Sequence, residues 1–456
     1  MEFCTETGLR AKRQEGRFPP DNSLRPGGLS RRRGLNEGAD AGPGDGRGFA
    51  LRAGKLQRGR MPKDHPSLSL ARYESLDVWR GVACLLVIVY HATSFRTENY
   101  LGHIPSVGLV LLLITTTFKH GVTLFFVISG YCISAAVEAS ARRQTGITDY
   151  FRRRVRRIFP PYWALLACVI ISGALVHALG GGRFLWERSL GDYVQLKQPA
   201  DLSGSQWLGN LTLTELWLPR LFGRAPRLFE GSGHAWTLAY EEQFYAVCGL
   251  LLIASRRRMN RFFAGALGVT LLTFITASSP VLRAHVGGLF LDGQWMLFAC
   301  GIAVYYDRVH AGQRPRWAFR AALLALLALV LVKRSGPELV IGPAFALLLI
   351  ALQPWDAAWA RSRKPAILWW SGLRCYSLYL VHWPIIRPLS RLLYESGVRS
   401  VWGTLLITLP VSLAVSILAA WAFHAAVERR FLNRPSRSHT AAPEARSAPG
   451  AALASA

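Results

Sequence analysis

The sequence predicts an all-α, polytopic integral membrane protein of about ten transmembrane helices, and three observations predict it. Hydrophobic residues make up 51% of the 456 residues and charged ones only 18%. The mean hydropathy of +0.21 is high for a water-soluble chain. The apolar residues fall in long uninterrupted blocks, not at the spacing of a soluble core. The 54 Lys and Arg outnumber the 27 Asp and Glu, for a net charge of +27, and they mostly punctuate the blocks, as positive charge does in short cytoplasmic loops. A soluble enzyme is excluded by the first two observations. The placement of the charge argues against a nucleic-acid partner, because it marks topology instead of forming one basic face.

Residues 1–69 are basic and rich in Gly and Pro, as in Gly27-Gly28-Leu29-Ser30-Arg31-Arg32-Arg33, with no apolar run to form a signal-peptide core. They read as disordered, and Met61, just ahead of the first organised segment, is a candidate translation start. Blocks able to cross a hydrocarbon core of about 30 Å follow at 77–95, 121–139, 158–178, 236–254, 262–280, 286–306, 317–333, 338–353, 366–386 and 402–424. The apolar stretch from Ser106 to Phe118 is short, ends in Lys119-His120 and reads as a loop or interfacial helix. The membrane domain is thus 70–433, and 434–456 is a solvated tail of Ala, Ser, Pro and Arg. With the N-terminus inside, the clusters Arg142-Arg143 through Arg157, Arg256-Arg257-Arg258, 307–320, 361–364 and 428–437 are cytoplasmic, and the expected location is the cytoplasmic (inner) membrane. Lys333-Arg334 and several arginines within 181–235 run against this pattern. The seven cysteines show no CxxC spacing, so neither a disulfide framework nor a metal site is expected.

Charged groups at the bilayer centre cost about 2.5–3.5 kcal/mol on insertion scales, so those carried by spans are candidates for function. In the first span Arg80 and His91 are eleven residues apart, roughly 16 Å along a helix, which sets Arg80 near the inner end and His91 well across the core. Arg80 also fits a snorkelling anchor and His91 an interior, hydrogen-bonded histidine. The fourth span opens with Trp236-Thr237-Leu238-Ala239-Tyr240-Glu241-Glu242-Gln243-Phe244-Tyr245. There Glu241 and Tyr245 share a face, while Glu242 points about 100° away. His382 lies in the ninth span. Arg152-Arg153-Arg154-Val155-Arg156-Arg157 stands at the mouth of the third, where it would suit an anion with several phosphates or serve as a positive-inside anchor.

Together these segments resemble the membrane acyltransferase-3 family, polytopic enzymes that acylate sugar hydroxyls of surface polysaccharides. Leu76-Asp77-Val78-Trp79-Arg80-Gly81 with His91 resembles the family's opening helix, and Phe125-Phe126-Val127-Ile128-Ser129-Gly130-Tyr131 its FFVLSGF helix. Arg154 and Arg157 fall on its RxxR pair, Trp236 to Tyr245 on its WSLxVEEQFY segment, and Tyr376 to Pro384 with Val427-Glu428-Arg429 on its closing helices. The likeness covers roughly 70–433. Val78-Trp79 replaces the usual Gly-Leu, and Tyr240 replaces Val.

The resemblance implies an acyl coenzyme A-dependent O-acyltransferase, with acetyl coenzyme A as donor substrate and no tightly bound cofactor. The acceptor it implies is a hydroxyl of a surface polysaccharide, lipopolysaccharide or lipid-linked glycan. Arg153, Arg154 and Arg157 would bind the coenzyme, His91 would act as general base or carry the acyl group, and Glu241 would orient it. Arg80 would pair with the donor or with a carboxylate, and Trp236, His382 and Ser129 would support the site. A small-molecule acceptor, a polytopic transporter or flippase of glycan or lipid precursors, and an inactive lipid-binding scaffold are the competing readings. Lipids and the acceptor are the expected partners.

Overall fold

The computed structural model describes residues 73–94, 107–179, 195–197, 199–312, 336–362 and 365–432, with scattered residues between 316 and 328. The expected segments 1–69 and 434–456, the candidate start at Met61 and much of the expected span 317–333 lie outside the described residues. The elements in order are α1 (Leu76–Ser94), α2 (Val107–Thr116), α3 (Gly121–Arg143), α4 (Ile147–Ala178), β1 (Gln195–Lys197), α5 (Gly204–Thr212), β2 (Arg227–Phe229), α6 (Trp236–Ala254) and α7 (Met259–Ser278). They continue with α8 (Gln294–Val309), α9 (Pro337–Leu352), α10 (Ala366–Leu373), α11 (Cys375–Glu395) and α12 (Leu409–Phe423). β1 and β2 form a small parallel pair, with Leu196 opposite Leu228, within the long connection from α4 to α6.

Six helical stretches among the described residues are long and apolar enough to span a membrane: Leu76–Ser94, Val107–Arg143, Ile147–Ala178, Met259–Ser278, Pro337–Ser362 and Val401–Phe431. The other expected blocks within the described residues are helical but shorter or more polar. α8 begins only at Gln294, after turns in which Gly288 and Gly293 take φ of 86° and 122°. The stretch after Ser106 is helix, α2, and it runs through a 3-10 turn, Thr117–His120, into α3. The change of pitch has a local cause. Thr115, Thr116 and Thr117 each turn their hydroxyl back onto a carbonyl three residues earlier, at 2.6–2.7 Å, competing with the α-helical ladder.

Large apolar side chains point outward along these helices, among them Ile171 and Leu175 on α4, Leu267 and Leu271 on α7 and Leu418 on α12. Such a belt suits hydrocarbon and not water. Inside, backbones touch where two family-like motifs place glycine. A Cβ on Gly301 of α8 would sit 1.8 Å from the carbonyl oxygen of Val127 on α3, and one on Gly130 would sit 2.0 Å from that of Phe298. Likewise α1 crosses α10 through Gly81 and Gly372. With no hydrophobic force between helices in lipid, close contact of this kind is what holds them.

One end of the bundle gathers the arginine-rich helix ends and three buried carboxylates that fasten them. Glu138 accepts from Arg142, from Tyr305 at 2.8 Å and from His310 at 2.6 Å. Asp307 accepts from Arg320 at 3.0 Å. Asp356 accepts from the backbone of Glu74 and Ser75 at 2.9 and 2.7 Å and from Arg308 at 3.2 Å. The last turn of α1 and the first turns of α3, α6 and α8 lie at the opposite end, where His91, Thr123, Trp236 and Gln294 surround one cavity.

Candidate active site

Two cavities lie along the bundle. The larger, about 440 Å³, is at the end away from the arginines, and its wall includes His91, His234, Trp236, Trp383, Asp292 and Glu338. The smaller, about 30 Å³, lies deeper, between Ser129, Thr237, Glu241, Tyr376 and Tyr379. Val122 and Phe126 line both, so the two adjoin. The first is of a size for a small organic group, and the second for about one water molecule.

His91, His120 and His234 line the larger cavity, and His382 stands behind the first and the last of them. The His91 ring centroid is 5.4 Å from that of His382 and 4.8 Å from that of Trp383, which stands perpendicular to it. His234 is 5.1 Å from His382. His382 is fully buried, and its Nδ1 lies 2.6 Å from the Tyr379 carbonyl, which can only accept. The proton therefore sits on Nδ1, and Nε2 carries a lone pair with no partner among the described residues. Two prolines, Pro384 and Pro388, lie inside α11 just beyond this histidine. Trp236 packs edge-on against Phe126 and Tyr240.

A file of polar side chains runs from the arginine-rich end toward this site. Arg154 and Arg157 are buried and turn into the bundle, while Arg152 and Arg156 on the same helix are exposed and Arg153 is half-buried. The Arg154 guanidinium lies 4.5 Å over the Tyr245 ring, and its Nη1 donates to the Tyr245 hydroxyl at 3.4 Å. That hydroxyl donates to Glu241 Oε1 at 2.5 Å, and the same oxygen accepts from Ser129 at 3.0 Å. The expected shared face of Glu241 and Tyr245 is thus occupied by a direct hydrogen bond. In the wall of the small cavity, Thr237 and Tyr379 join hydroxyls, and Tyr379 also donates to the His234 carbonyl. From Trp236 to Tyr245 is nine residues, about 14 Å of helix, so this part of the file covers a little under half of a hydrocarbon core of about 30 Å. Arg157 lies within electrostatic reach of Glu428, which accepts from Ser377 and, at 3.0 Å, from His424 in a π-helical turn at His424–Glu428.

Of the partners expected for Arg80, the structure shows the carboxylate: Arg80 is buried against Asp77 one turn earlier, at 2.5 Å, and against Cys132 Sγ at 2.9 Å, which holds α1 to α3 at the arginine-rich end. Among the described residues the hydrogen bonds of Glu241 go to Ser129 and Tyr245, and none goes to His91. His382, ranked below His91 from sequence, stands beside it. His234 was not singled out, although its place two residues ahead of Trp236 was the available signal.

A family model described as an acyltransferase domain matches residues 73–421, which contain both cavities. The chain is 28% identical over 389 residues to acyltransferase MdmB of Streptomyces mycarofaciens, covering 79% of this chain and 91% of that protein. It is 26% identical over 392 residues to the putative membrane-bound transacylase BcsY of Komagataeibacter xylinus, covering 81% and 86%. With O-acetyltransferase OatA of Staphylococcus aureus it shares 24% over 341 residues, 68% of this chain and 50% of that one. No solved structure matches.

Proposed function

The chain belongs to the acyltransferase-3 family of membrane acyltransferases, and from that premise we propose that it moves an acetyl group from acetyl coenzyme A to a glycan hydroxyl at the cytoplasmic membrane. The observation that carries this reading is the polar file linking a buried arginine pair at the basic end to a histidine-lined cavity at the other. Arg154 and Arg157, with Arg153 beside them, receive the phosphates of the donor from the cytoplasmic side, where guanidinium forks match phosphate oxygens. The acyl arm follows the file inward, and Phe126, shared by both cavities, borders its path.

The acceptor sits in the outer cavity, where Trp236 and Trp383 offer aromatic faces to a sugar ring and Asp292 and Glu338 offer acceptors for its hydroxyls. His91 takes the proton of the attacking hydroxyl. Its oxygen bonds to the acyl carbon, the carbon–sulfur bond breaks, and the sulfur leaves with the proton that His91 returns. Ser129 and Glu241 hold the passage between the two ends and position the donor without touching the reacting atoms.

The test uses membranes containing the protein, acetyl coenzyme A labelled in the acetyl group and a crude glycan and glycolipid fraction. Base-labile label in glycan that disappears in His91→Ala at equal protein level is the expected result. Equal labelling by both proteins would remove His91 from the chemistry. Labelling by neither would remove the donor and acceptor assigned here.

A further inference from the structure

Two imidazoles of the outer cavity, His120 and His234, have no role in the account so far, and of the two only His234 is buried. His234 is 3% exposed, lines the cavity with His91, and neither of its ring nitrogens has a hydrogen-bond partner among the described residues. A buried polar group left unmade bears its full desolvation cost, so native proteins seldom keep one without use. The ring is also held in place. Tyr379 donates to the His234 carbonyl and sets its own ring 5.0 Å away, and His382 lies 5.1 Å off on another side. Burial, with the His382 and His91 rings beside it, holds the His234 imidazole well below its ordinary range, against the opposing pull of the Leu380 carbonyl, which lies near the ring but outside hydrogen-bond geometry. It is therefore a neutral ring with one N–H to give. His382 cannot give one, because its ring proton is committed to the Tyr379 carbonyl at 2.6 Å.

On the acyl-transfer reading, we propose that His234 touches the substrate, donating its ring N–H to the acyl carbonyl oxygen, the atom that turns negative when the hydroxyl attacks. As the carbon–oxygen bond forms, the carbonyl π pair moves onto that oxygen, where a fixed donor is worth more than it is against the uncharged carbonyl. When the carbonyl re-forms, the carbon–sulfur bond breaks and the sulfur leaves with the proton that His91 took from the hydroxyl. No proton passes through His234. A neutral imidazole is suited to this part because it can donate without competing as an acid.

The experiment measures acetyl transfer by membranes containing wild type, His234→Ala, His234→Gln and His234→Asn, and thermal unfolding of purified His234→Leu in detergent. Loss of one such donor lowers kcat by about 100- to 1000-fold. His234→Ala is expected to show that loss with little change in the donor KM. One of the amide variants, which keep an N–H near a ring nitrogen, should recover at least roughly tenfold of it. His234→Leu should unfold at or above the wild-type temperature, since no hydrogen bond is lost. The proposal is overturned if His234→Ala stays near wild-type activity, if both amide variants are as inactive as Ala, or if His234→Leu unfolds well below wild type, as a structural ring requires. If wild type itself transfers nothing, the acyl-transfer reading fails and this proposal with it, an outcome read from the wild-type sample alone.

Discussion

Glu241 and Arg154 stand at two points of one buried network, and breaking it from either side has a calculable cost. The Glu241 carboxylate accepts from Tyr245 at 2.5 Å and from Ser129 at 3.0 Å, and Arg154 is stacked on the same tyrosine. Hydrogen bonds to a charged group contribute about 1.5–3 kcal/mol each, and a buried charge that loses its partner costs about 3–5 kcal/mol. Glu241→Gln keeps the shape and one acceptor oxygen, so it should cost about 1–2 kcal/mol, the charge component alone. Glu241→Ala strands the tyrosine, the serine and the guanidinium and should cost about 3–5 kcal/mol. Arg154→Met removes the cation, so the pair Arg154→Met with Glu241→Ala should cost less than the sum of the two, with a coupling on the order of 2 kcal/mol. Thermal unfolding of the purified protein in detergent reads this, at roughly 2 °C per kcal/mol for a domain of this size. Strict additivity, within about 0.5 kcal/mol, would show that the two groups do not share a network and would break the file on which the donor path depends.

Two further outcomes follow from packing and burial. Gly301→Ala puts a methyl 1.8 Å from the Val127 carbonyl oxygen, so α3 and α8 must part. A loss of about 1–3 kcal/mol and a lower yield of folded protein are expected, and a wild-type melting temperature would contradict the close crossing. Glu215, in the connection before α6, is fully buried with no side-chain partner for its carboxyl among the described residues, and burial pushes that carboxyl from 4.5 up to about 8. Below about pH 4.5 the group is protonated in both folded and unfolded states and costs nothing. Between about pH 4.5 and 8 the unfolded chain releases the proton that the folded one keeps, so stability falls by up to about 1.4 kcal/mol per pH unit. Glu215→Gln should therefore gain over wild type as pH rises from 5 to 8, and parallel melting curves across that range would refute the assignment.

Much of the architecture was legible in local sequence, because lipid imposes it residue by residue. Among the described residues the apolar blocks are largely helical, and the described arginines of the basic clusters gather at one end. The i to i+4 spacing of Glu241 and Tyr245 became a hydrogen bond. Where the sequence reading departed from the structure, the cause was competition within a short stretch or a contact across the chain. Three threonines bending one turn, and glycines at 288 and 293 delaying the start of α8, are local effects that hydropathy does not register. For Arg80 the expected carboxylate alternative is Asp77, three residues away, a spacing open to inspection in the sequence. The meeting of His91, His234 and His382 could not be read in advance. It depends on α11 and the turn before α6 packing against the last turn of α1, contacts separated by well over a hundred positions in the chain.

The account's central claim is that donor enters at the arginine end and acceptor at the histidine end of one path through the membrane. Sealed vesicles of each orientation, with labelled acetyl coenzyme A supplied only outside, test it most directly. Labelled glycan should form when the arginine-rich face is outward and should be lost in Arg154→Ala. Labelling only when the opposite face is outward, or undiminished labelling by Arg154→Ala, would contradict the path.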